Sequence, residues 1–551
     1  MTGGRATGTC AVATPHASAT AVAEQCVRAG GNAVDAAVAA SLALAVAQPH
    51  YTSIGGDLIA LVRAPDGVIT TINATGYASR HADADQLAAR HGAALPVTGI
   101  DTVTVPGAVA GLAAVHGLGA ALPWAACVGP AADLAEAGVP VSPSLLQAVR
   151  GDPGLVTGDR GLAALLQPGG RPLQPGQQLR QPELAASLAE IARDGPRAFY
   201  AGPLAGRLAR GLQAAGSVID DRDLAEYAVV QEAPLTGMFA GYQLATSGPN
   251  SQGFLLLETL GILAALGGGI EPLAGGAAIL SEIFQLAARD RRQWLADPAA
   301  MSLAAADLLA PGRLAELAAI AGQAARPDPP GGRRAAHQDG SRGPAPREPG
   351  RGFPAAREPG SGDTVAVVTA DTSGRAVCLI QSVFHLLGSG ILDRDTGILL
   401  HNRGSAFTLR EDSPNRIAPR RRPAHTLMPV MVSQGGQLAW VVGTMGGTRQ
   451  PQIQTQLVLR LTGGATPAEA LAAPRWVVEG GPDRPVAYVE QQLAPPAAGR
   501  IGEKLPIAWQ GPEDDMTGRA QIAWPDAGGV GAASDPRGEG SARVAAAQLR
   551  S

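Results

Sequence analysis

The sequence changes character within Gly360-Ser361-Gly362-Asp363-Thr364-Val365-Ala366-Val367-Val368-Thr369-Ala370-Asp371. Gly and Ser come first, and Val, Ala and Thr, which favour strands, fill positions 364–370. The turn-forming residues Asp371-Thr372-Ser373-Gly374 follow, and a second apolar run occupies 376–383. Two apolar runs joined by such a turn predict a β-hairpin.

Thr364 has two interpretations. It is the first residue of the predicted strand and directly follows a Gly-rich tail. If the bond before it were cut, its new α-amine could act as general base for its own hydroxyl, as in N-terminal nucleophiles. Threonine is also a common strand residue with no chemical role. The stretch by itself favours the second interpretation.

The residues before this strand predict a linker. Residues 326–362 are dominated by Pro, Gly and Arg, and the motif Arg-Glu-Pro-Gly occurs at 347–350 and again at 357–360. Such a segment has too little apolar surface to offset the entropy of ordering, so we expect it to be disordered. This divides the chain into 1–325, a linker at 326–363, and 364–551.

Composition narrows the class of protein. With 46% hydrophobic residues and a net charge of −4, the chain is expected to be globular and to bind neither nucleic acid nor a membrane surface. The longest apolar run, 36–47, is too short to span a bilayer. The N-terminus has no apolar signal region, so a cytoplasmic location is expected. Four cysteines without CxxC spacing suggest neither a disulfide framework nor a metal site, and no cofactor is predicted.

Helical patterns dominate residues 100–320, for instance at 182–193 and 204–214. The charged run Arg289-Asp290-Arg291-Arg292 is interpreted as a solvated helix face.

Beyond the linker, strands are expected. A strand at 438–444 is followed by the loop Met445-Gly446-Gly447-Thr448-Arg449 and a helix at 452–461. Adjacent glycines before a helix can point backbone N–H groups at an anion or a developing oxyanion, although most such loops are ordinary turns.

The order of several motifs resembles the γ-glutamyltranspeptidase family. The matching stretches run from one end of the chain to the other. They are Gly30-Gly31-Asn32-Ala33-Val34-Asp35-Ala36-Ala37-Val38-Ala39, Pro49-His50-Tyr51-Thr52-Ser53-Ile54-Gly55-Gly56, Gln181-Pro182-Glu183-Leu184-Ala185, Phe199-Tyr200-Ala201-Gly202, Pro249-Asn250-Ser251-Gln252-Gly253, Gly388-Ser389-Gly390-Ile391, Arg422-Pro423, Met445-Gly446-Gly447-Thr448-Arg449 and Gly531-Ala532-Ala533-Ser534-Asp535-Pro536-Arg537.

The resemblance implies an α+β fold of the N-terminal-nucleophile hydrolase type, a four-layer αββα sandwich. It also implies a proenzyme that cuts itself into a large and a small subunit, which stay associated and could form a homodimer of processed units. Thr364 and Asp371 match the family's Thr-x-His-x-Ser-Val-Val-Asp motif. The cut is therefore expected between Asp363 and Thr364.

The resemblance also assigns catalytic roles. Thr364 would attack a carbonyl of a small-molecule substrate and form an acyl-enzyme. Ser382 lies where the family places a second hydroxyl beside the nucleophile. The N–H groups of Gly446 and Gly447 would stabilise the oxyanion.

Some family residues are missing, and these are the ones that hold the glutamyl group. The stretch Asn73-Ala74-Thr75-Gly76-Tyr77 lacks the arginine that binds the substrate α-carboxylate, and Ala406 replaces the acid that binds the α-amine. His425-Thr426 replaces a pair of serines, and Ala366 replaces a histidine. We expect His425 and Thr426 to contact substrate, and Arg403 or Arg449 to hold a differently placed carboxylate.

Three functional hypotheses follow. The first is an amide hydrolase or acyltransferase acting on γ-glutamyl compounds such as glutathione, or on a related acyl group. The second keeps the nucleophile but cleaves a C–C bond beside a ketone in natural-product biosynthesis. The third is a non-catalytic binding relative, which the presence of Thr364, Ser382 and the two glycines disfavours.

Overall fold

The computed structural model describes residues 9–267, 276–324, 363–481, 484–511 and 514–547. The predicted linker, apart from the backbone of Asp363, lies outside the described residues. The strands are β1 (Thr9–Thr14), β2 (Asp57–Arg63), β3 (Ile69–Ala74), β4 (Val139–Pro140), β5 (Gln178–Leu179), β6 (Val230–Glu232), β7 (Leu235–Phe239), β8 (Tyr242–Thr246), β9 (Asp363–Asp371), β10 (Ala376–Phe384), β11 (Leu392–Asp393), β12 (Ile398–Leu399), β13 (Val430–Gln434), β14 (Gln437–Thr444), β15 (Trp476–Glu479), β16 (Val486–Glu490), β17 (Ile507–Gln510), β18 (Ala520–Asp526), β19 (Gly529–Ser534) and β20 (Ser541–Ala546).

Helices account for much of the remaining chain. They are α1 (Ala17–Arg28), α2 (Ala33–Ala47), α3 (Ala84–His91), α4 (Ala108–Gly117), α5 (Trp124–Ala137), α6 (Pro143–Gly151), α7 (Pro153–Gly158), α8 (Arg160–Leu166), α9 (Pro182–Asp194), α10 (Pro203–Ala214), α11 (Asp221–Ala225), α12 (Phe254–Ala265), α13 (Ala277–Trp294), α14 (Ala305–Leu308), α15 (Pro311–Ala324), α16 (Gln450–Thr462), α17 (Pro467–Ala472) and α18 (Pro495–Gly502). Within the described ranges, no helix combines the length and apolar character needed to cross a membrane.

Two antiparallel sheets form the centre of the molecule. The first has seven strands in the order β20-β1-β9-β10-β2-β3-β6, and the second has six in the order β19-β18-β14-β13-β8-β7. The predicted hairpin is confirmed, since β9 and β10 pair antiparallel at the middle of the first sheet. The prediction for residues 100–320 was incomplete, because it missed the five strands β4 to β8.

Strand β9 shows how the sheets are packed. Its side chains alternate between two faces, as pleating requires. Val365 and Val367 join a buried cluster that includes α1 and α2. Ala366, Val368 and Ala370 join another cluster, which also contains Met431 and other residues of the second sheet. The opposite face of the second sheet packs against α12, α13 and α16. A strand buried on both faces is apolar without interruption, and this is the pattern seen at 365–368.

Asp371 fixes the end of the hairpin. Its carboxylate accepts N–H bonds from Ser373 at 2.8 Å and from Arg375 at 3.2 Å, which closes the turn. It also accepts the N–H of Ala33, at the start of α2, at 3.2 Å. Asp371, the acid of the motif, thus holds α2 against β9, the strand that carries the predicted nucleophile.

The interpretation of Arg289-Asp290-Arg291-Arg292 as a solvated helix face was wrong for Asp290. Its side chain is 1% exposed and is paired with Arg313 of α15. Arg313 also binds Glu258 of α12 at 2.9 Å. These ion pairs hold α12, α13 and α15 together, because a buried carboxylate requires a partner. A run of charges in the sequence did not reveal which of its members faces the core.

Candidate active site

Thr364 and Ser382 meet at one end of the central hairpin. The Thr364 side chain is 1% exposed, and its hydroxyl Oγ1 lies 3.5 Å from Ser382 Oγ. The register of β9 and β10 shifts after Gln381, and the backbone N–H of Phe384 donates to Ser382 Oγ at 2.7 Å. The shift lets Ser382 face Thr364 at the start of β9. The structure therefore brings these two predicted residues together.

The Gly446–Gly447 loop connects the end of β14 to α16. Gly446 has φ +132° and Gly447 has φ +55°, conformations that favour glycine. Before the loop, a Cβ placed on Gly443 would lie 3.1 Å from Cβ of Ala366, which is two residues from Thr364 in β9. The loop thus begins next to the strand of the predicted nucleophile. Its role in binding an oxyanion stays a prediction.

Asp57 is the centre of a buried polar cluster beside Thr364 and Ser382. It is the first residue of β2 and lies opposite Ser382 in the sheet. Asp57 Oδ2 accepts from His425 Nε2 at 2.7 Å and from Arg403 Nε at 2.9 Å, and His401 Nδ1 lies 3.5 Å away. Burial raises the pKa of Asp57, but Arg403 and the two histidines outweigh it and hold that pKa well below the usual range. Asp57 is therefore ionised.

His425 is neutral in this cluster. Burial and the nearby charge of Arg403 lower its pKa to about 4, although Asp57 acts in the opposite direction. Its Nε2–H donates to Asp57, and its Nδ1 accepts the N–H of Leu427 at 3.2 Å. These two bonds fix the tautomer and the orientation of the ring.

His425 gives the protein a defined response to acid. Its folded pKa of about 4 lies below its ordinary 6.5, so the unfolded chain takes up the proton first as pH falls. The stabilisation is complete above pH 6.5 and is expected to be lost between about pH 6.5 and 4, by at most roughly 3 kcal/mol. Urea unfolding at several pH values measures this loss.

The matched variants are His425→Gln and His81→Gln, since His81 is an exposed histidine. The first should be less stable at pH 8 but lose less stability between pH 6.5 and 4, whereas the second should follow the wild type. If the stability of His425→Gln depends on pH as strongly as that of the wild type, His425 is not the group responsible for the loss of stability in acid.

Arg403 is completely buried and links the cluster to Phe384. Its Nη1 donates to Thr426 Oγ1 at 3.3 Å, and its Cζ lies 4.0 Å from the centre of the Phe384 ring. The third nitrogen, Nη2, is buried with no hydrogen-bond partner among the described residues. Three of the predicted substrate-binding residues, Arg403, His425 and Thr426, thus lie in one cluster with Asp57. Arg449 lies in the glycine loop and is 5% exposed. Direct substrate contacts by these four residues stay predictions.

Gln252 connects this cluster to the glycine loop. Its side-chain Nε2 donates to the carbonyls of Thr426 and Gly447, each at 2.8 Å. Its Oε1 accepts from Arg291 Nε at 3.1 Å. Gln252 and Asp57 were not predicted as site residues, although both lie in or next to motifs that matched the family. That position in the sequence was the signal that could have found them.

An open cleft lies beside the site. It has a volume of about 520 Å³ and is lined by Phe384, Ala406 and Thr448, together with Arg291 and Arg292 of α13. A second cleft of about 440 Å³ shares Arg291, Arg292 and Thr448 with the first. The geometry thus offers a buried hydroxyl pair, a glycine loop and adjacent space for a small molecule.

Comparisons with known proteins give a consistent result. The model of the family described as Gamma-glutamyltranspeptidase matches residues 19–545. The chain is 33% identical over 544 residues to the glutathione hydrolase-like YwrD proenzyme of Bacillus subtilis (strain 168), covering 96% of this chain and 97% of that protein. It is 33% identical over 500 residues to the oxamate amidohydrolase proenzyme of Klebsiella pneumoniae, covering 89% of each. A crystal structure of cephalosporin acylase from Bacillus halodurans superposes with a TM-score of 0.85 at 28% identity, covering 98% of this chain and 97% of that one.

Proposed function

The chain belongs to the γ-glutamyltranspeptidase family, and we propose that it is a proenzyme that cuts itself before Thr364 and then transfers acyl groups through that residue. It is an enzyme of the N-terminal-nucleophile hydrolase superfamily. The observation that carries the proposal is the buried Thr364 hydroxyl 3.5 Å from Ser382, at the start of a central strand. Relatives named proenzymes support the cleavage.

The mechanism follows from the position of Thr364. Cleavage turns its peptide nitrogen into a free α-amine, which takes the hydroxyl proton directly or through water. The hydroxyl oxygen then attacks the substrate carbonyl and forms an ester, while the amine of the substrate leaves with the proton. Water or another amine attacks the ester and restores Thr364. Ser382 Oγ, which is held by the N–H of Phe384, accepts the hydrogen bond of the Thr364 hydroxyl and so orients the nucleophile.

Both subunits would share both sheets in a four-layer αββα sandwich. In the first sheet, β9 and β10 come from the proposed small subunit and lie between β1 and β2 of the large one. In the second sheet, β13 of the small subunit pairs with β8 of the large subunit. Cutting one bond at the start of β9 leaves these ladders intact, so the fragments are expected to stay associated.

This chain differs from glutathione hydrolases in the residues expected to bind the acyl group of the substrate. Thr75, at the position expected for the carboxylate-binding arginine, is buried and donates to Asn73 Oδ1 at 2.7 Å. Ala406 leaves the cleft without the expected acid. Two charge-assisted hydrogen bonds are therefore missing, each worth roughly 1.5–3 kcal/mol. We propose an amide hydrolase or acyltransferase with weak preference for γ-glutamyl donors. The C–C hydrolase and the binding relative stay hypotheses.

Replacing Gly447 by valine tests the oxyanion role of the loop. A β-branched residue cannot readily adopt φ +55°, so the loop must reorganise and its N–H groups must turn away. The kcat for a chromogenic amide should fall by roughly 10²- to 10³-fold, the scale of losing one oxyanion donor.

Gly528→Val is the control, because a Cβ at Gly528 meets nothing within 4 Å. It should keep the wild-type kcat. Unchanged turnover in a folded Gly447→Val protein would mean that the glycines only form a turn, and no amide hydrolysis by the processed wild type would overturn the proposed function.

A further inference from the structure

The cleft beside the proposed nucleophile is positively charged. Arg291, Arg292 and Arg410 line it, and Asp412 is the acid among its described lining residues. Asp412 is already bound by Arg410 at 2.7 Å. Among the residues that the structure describes, no carboxylate lies within 4 Å of Arg291 or Arg292, whereas Arg289 on the same helix lies 3.6 Å from Asp290. Neither guanidinium group is therefore in an ion pair with a described carboxylate, although the charge of Glu479 acts on Arg291.

Arg291 is held in place relative to the glycine loop. Its Nε donates to Gln252 Oε1 at 3.1 Å, and Gln252 Nε2 donates to the carbonyl of Gly447 at 2.8 Å. Burial lowers the pKa of Arg291 to about 10, with Glu479 opposing and Arg403 adding to the effect. Arg291 is still protonated at neutral pH. An anion in the cleft would relieve the repulsion between these cations, whereas an ammonium group would increase it.

We propose that this cleft binds the far end of an acyl donor that bears a carboxylate and no neighbouring ammonium group, and that Arg291 and Arg292 determine this specificity. The inference rests on the proposed function of Thr364. The cleft is close enough to serve the same acyl group, because Phe384 donates to Ser382 and Thr448 follows Gly447. The substrates are then monoamides of dicarboxylic acids. Hydrolysis breaks the amide C–N bond, water supplies OH to the acyl carbon and H to the amine, and a dicarboxylate is released.

Three p-nitroanilides with acyl groups of equal chain length separate the effect of the substrate carboxylate on turnover from that of an adjacent ammonium group. Glutaryl-p-nitroanilide has the carboxylate alone, L-γ-glutamyl-p-nitroanilide has the carboxylate and an adjacent ammonium, and pentanoyl-p-nitroanilide has neither. The kcat/KM for the glutaryl compound should exceed the other two by about 10- to 100-fold, the range expected for one charge-assisted hydrogen bond. Equal or better turnover of the γ-glutamyl or pentanoyl compound overturns the inference but leaves the proposed function standing.

The Arg292→Gln variant tests whether the Arg292 side chain recognises the carboxylate of the acyl donor. Its kcat/KM for the glutaryl compound should fall about 10-fold or more, while that for the pentanoyl compound should stay within about 2-fold. The control is Arg193→Gln on α9, an exposed arginine paired with Asp194 and outside the cleft. It should match the wild type on all three compounds. Equal losses on the glutaryl and pentanoyl compounds in Arg292→Gln would contradict recognition of charge.

Calorimetric titration with glutarate gives a readout that needs no turnover. Glutarate should bind the wild-type protein at least about 10-fold more tightly than pentanoate, and Arg292→Gln should remove the difference. No preference for glutarate overturns the inference, whatever the kinetics show. A preference for glutarate in a protein that hydrolyses none of the three amides would instead overturn the proposed function.

Discussion

Replacing Thr364 by alanine is expected to leave one uncut chain and to lower amide turnover by about 10⁶-fold, the scale seen when a hydrolase loses its nucleophile. The hydroxyl is required twice in the proposed mechanism. It first attacks the carbonyl of Asp363 to break the chain, and afterwards it attacks the substrate. Thr364→Ser keeps the hydroxyl and should retain both processing and measurable turnover. Denaturing gels and steady-state kinetics on the same preparations measure the two effects.

The matched control is another threonine of β9. Thr369 is buried like Thr364, and its Oγ1 donates to the carbonyl of Ala33 at 2.8 Å. Thr369→Val should therefore cost about 1 kcal/mol of stability but leave processing complete. A Thr364→Ala protein that is cut as fast as the wild type would refute the assignment of the nucleophile.

Replacing Asp57 by asparagine is expected to lower the free energy of unfolding by about 3–5 kcal/mol, as when one partner of a buried ion pair is removed. Asparagine preserves the shape of the side chain but leaves the Arg403 guanidinium buried without a counter-charge. Since whole domains are stable by only about 5–15 kcal/mol, this is a large share of the total. Urea unfolding at pH 8 measures it.

Asp412→Asn is the control, because its pair with Arg410 is on the surface and each side chain is 70% exposed. Surface pairs contribute roughly 0–1 kcal/mol. A loss for Asp57→Asn no larger than for Asp412→Asn would show that the cluster does not depend on its charge. Processing should be slower in Asp57→Asn, because Asp57 pairs with Ser382 across the sheet.

Local patterns in the sequence predicted the elements that carry the proposed catalytic groups. The hairpin of β9 and β10 was predicted from two apolar runs around a turn, and the structure confirms it. The strand, loop and helix around Gly446 were predicted with small errors at their ends, since α16 begins at Gln450. These features depend on neighbouring residues, which explains why they could be predicted.

Features built from distant residues were not predicted. The short strand β6 pairs with β3, and the hairpin of β7 and β8 joins the second sheet through β13, so both depend on partners far away in the chain and their own residues carry a weak signal. The buried cluster joins Asp57 to His401, Arg403 and His425 from loops more than 340 residues later. Arg291 was interpreted as part of a solvated face, and only the fold shows that it lines the cleft. The role of such a side chain depends on residues that are distant in the sequence and become its neighbours only in the fold.

N-terminal sequencing of the smaller fragment of the purified wild-type protein, together with its intact mass, shows directly whether Thr364 becomes the N-terminal residue. We expect the fragment to begin Thr364-Val365-Ala366 and to co-purify with the larger fragment, and we expect Thr364→Ala to yield neither fragment. A fully active wild-type protein that remains one chain, or a small fragment that begins at another residue, would contradict Thr364 as the N-terminal nucleophile.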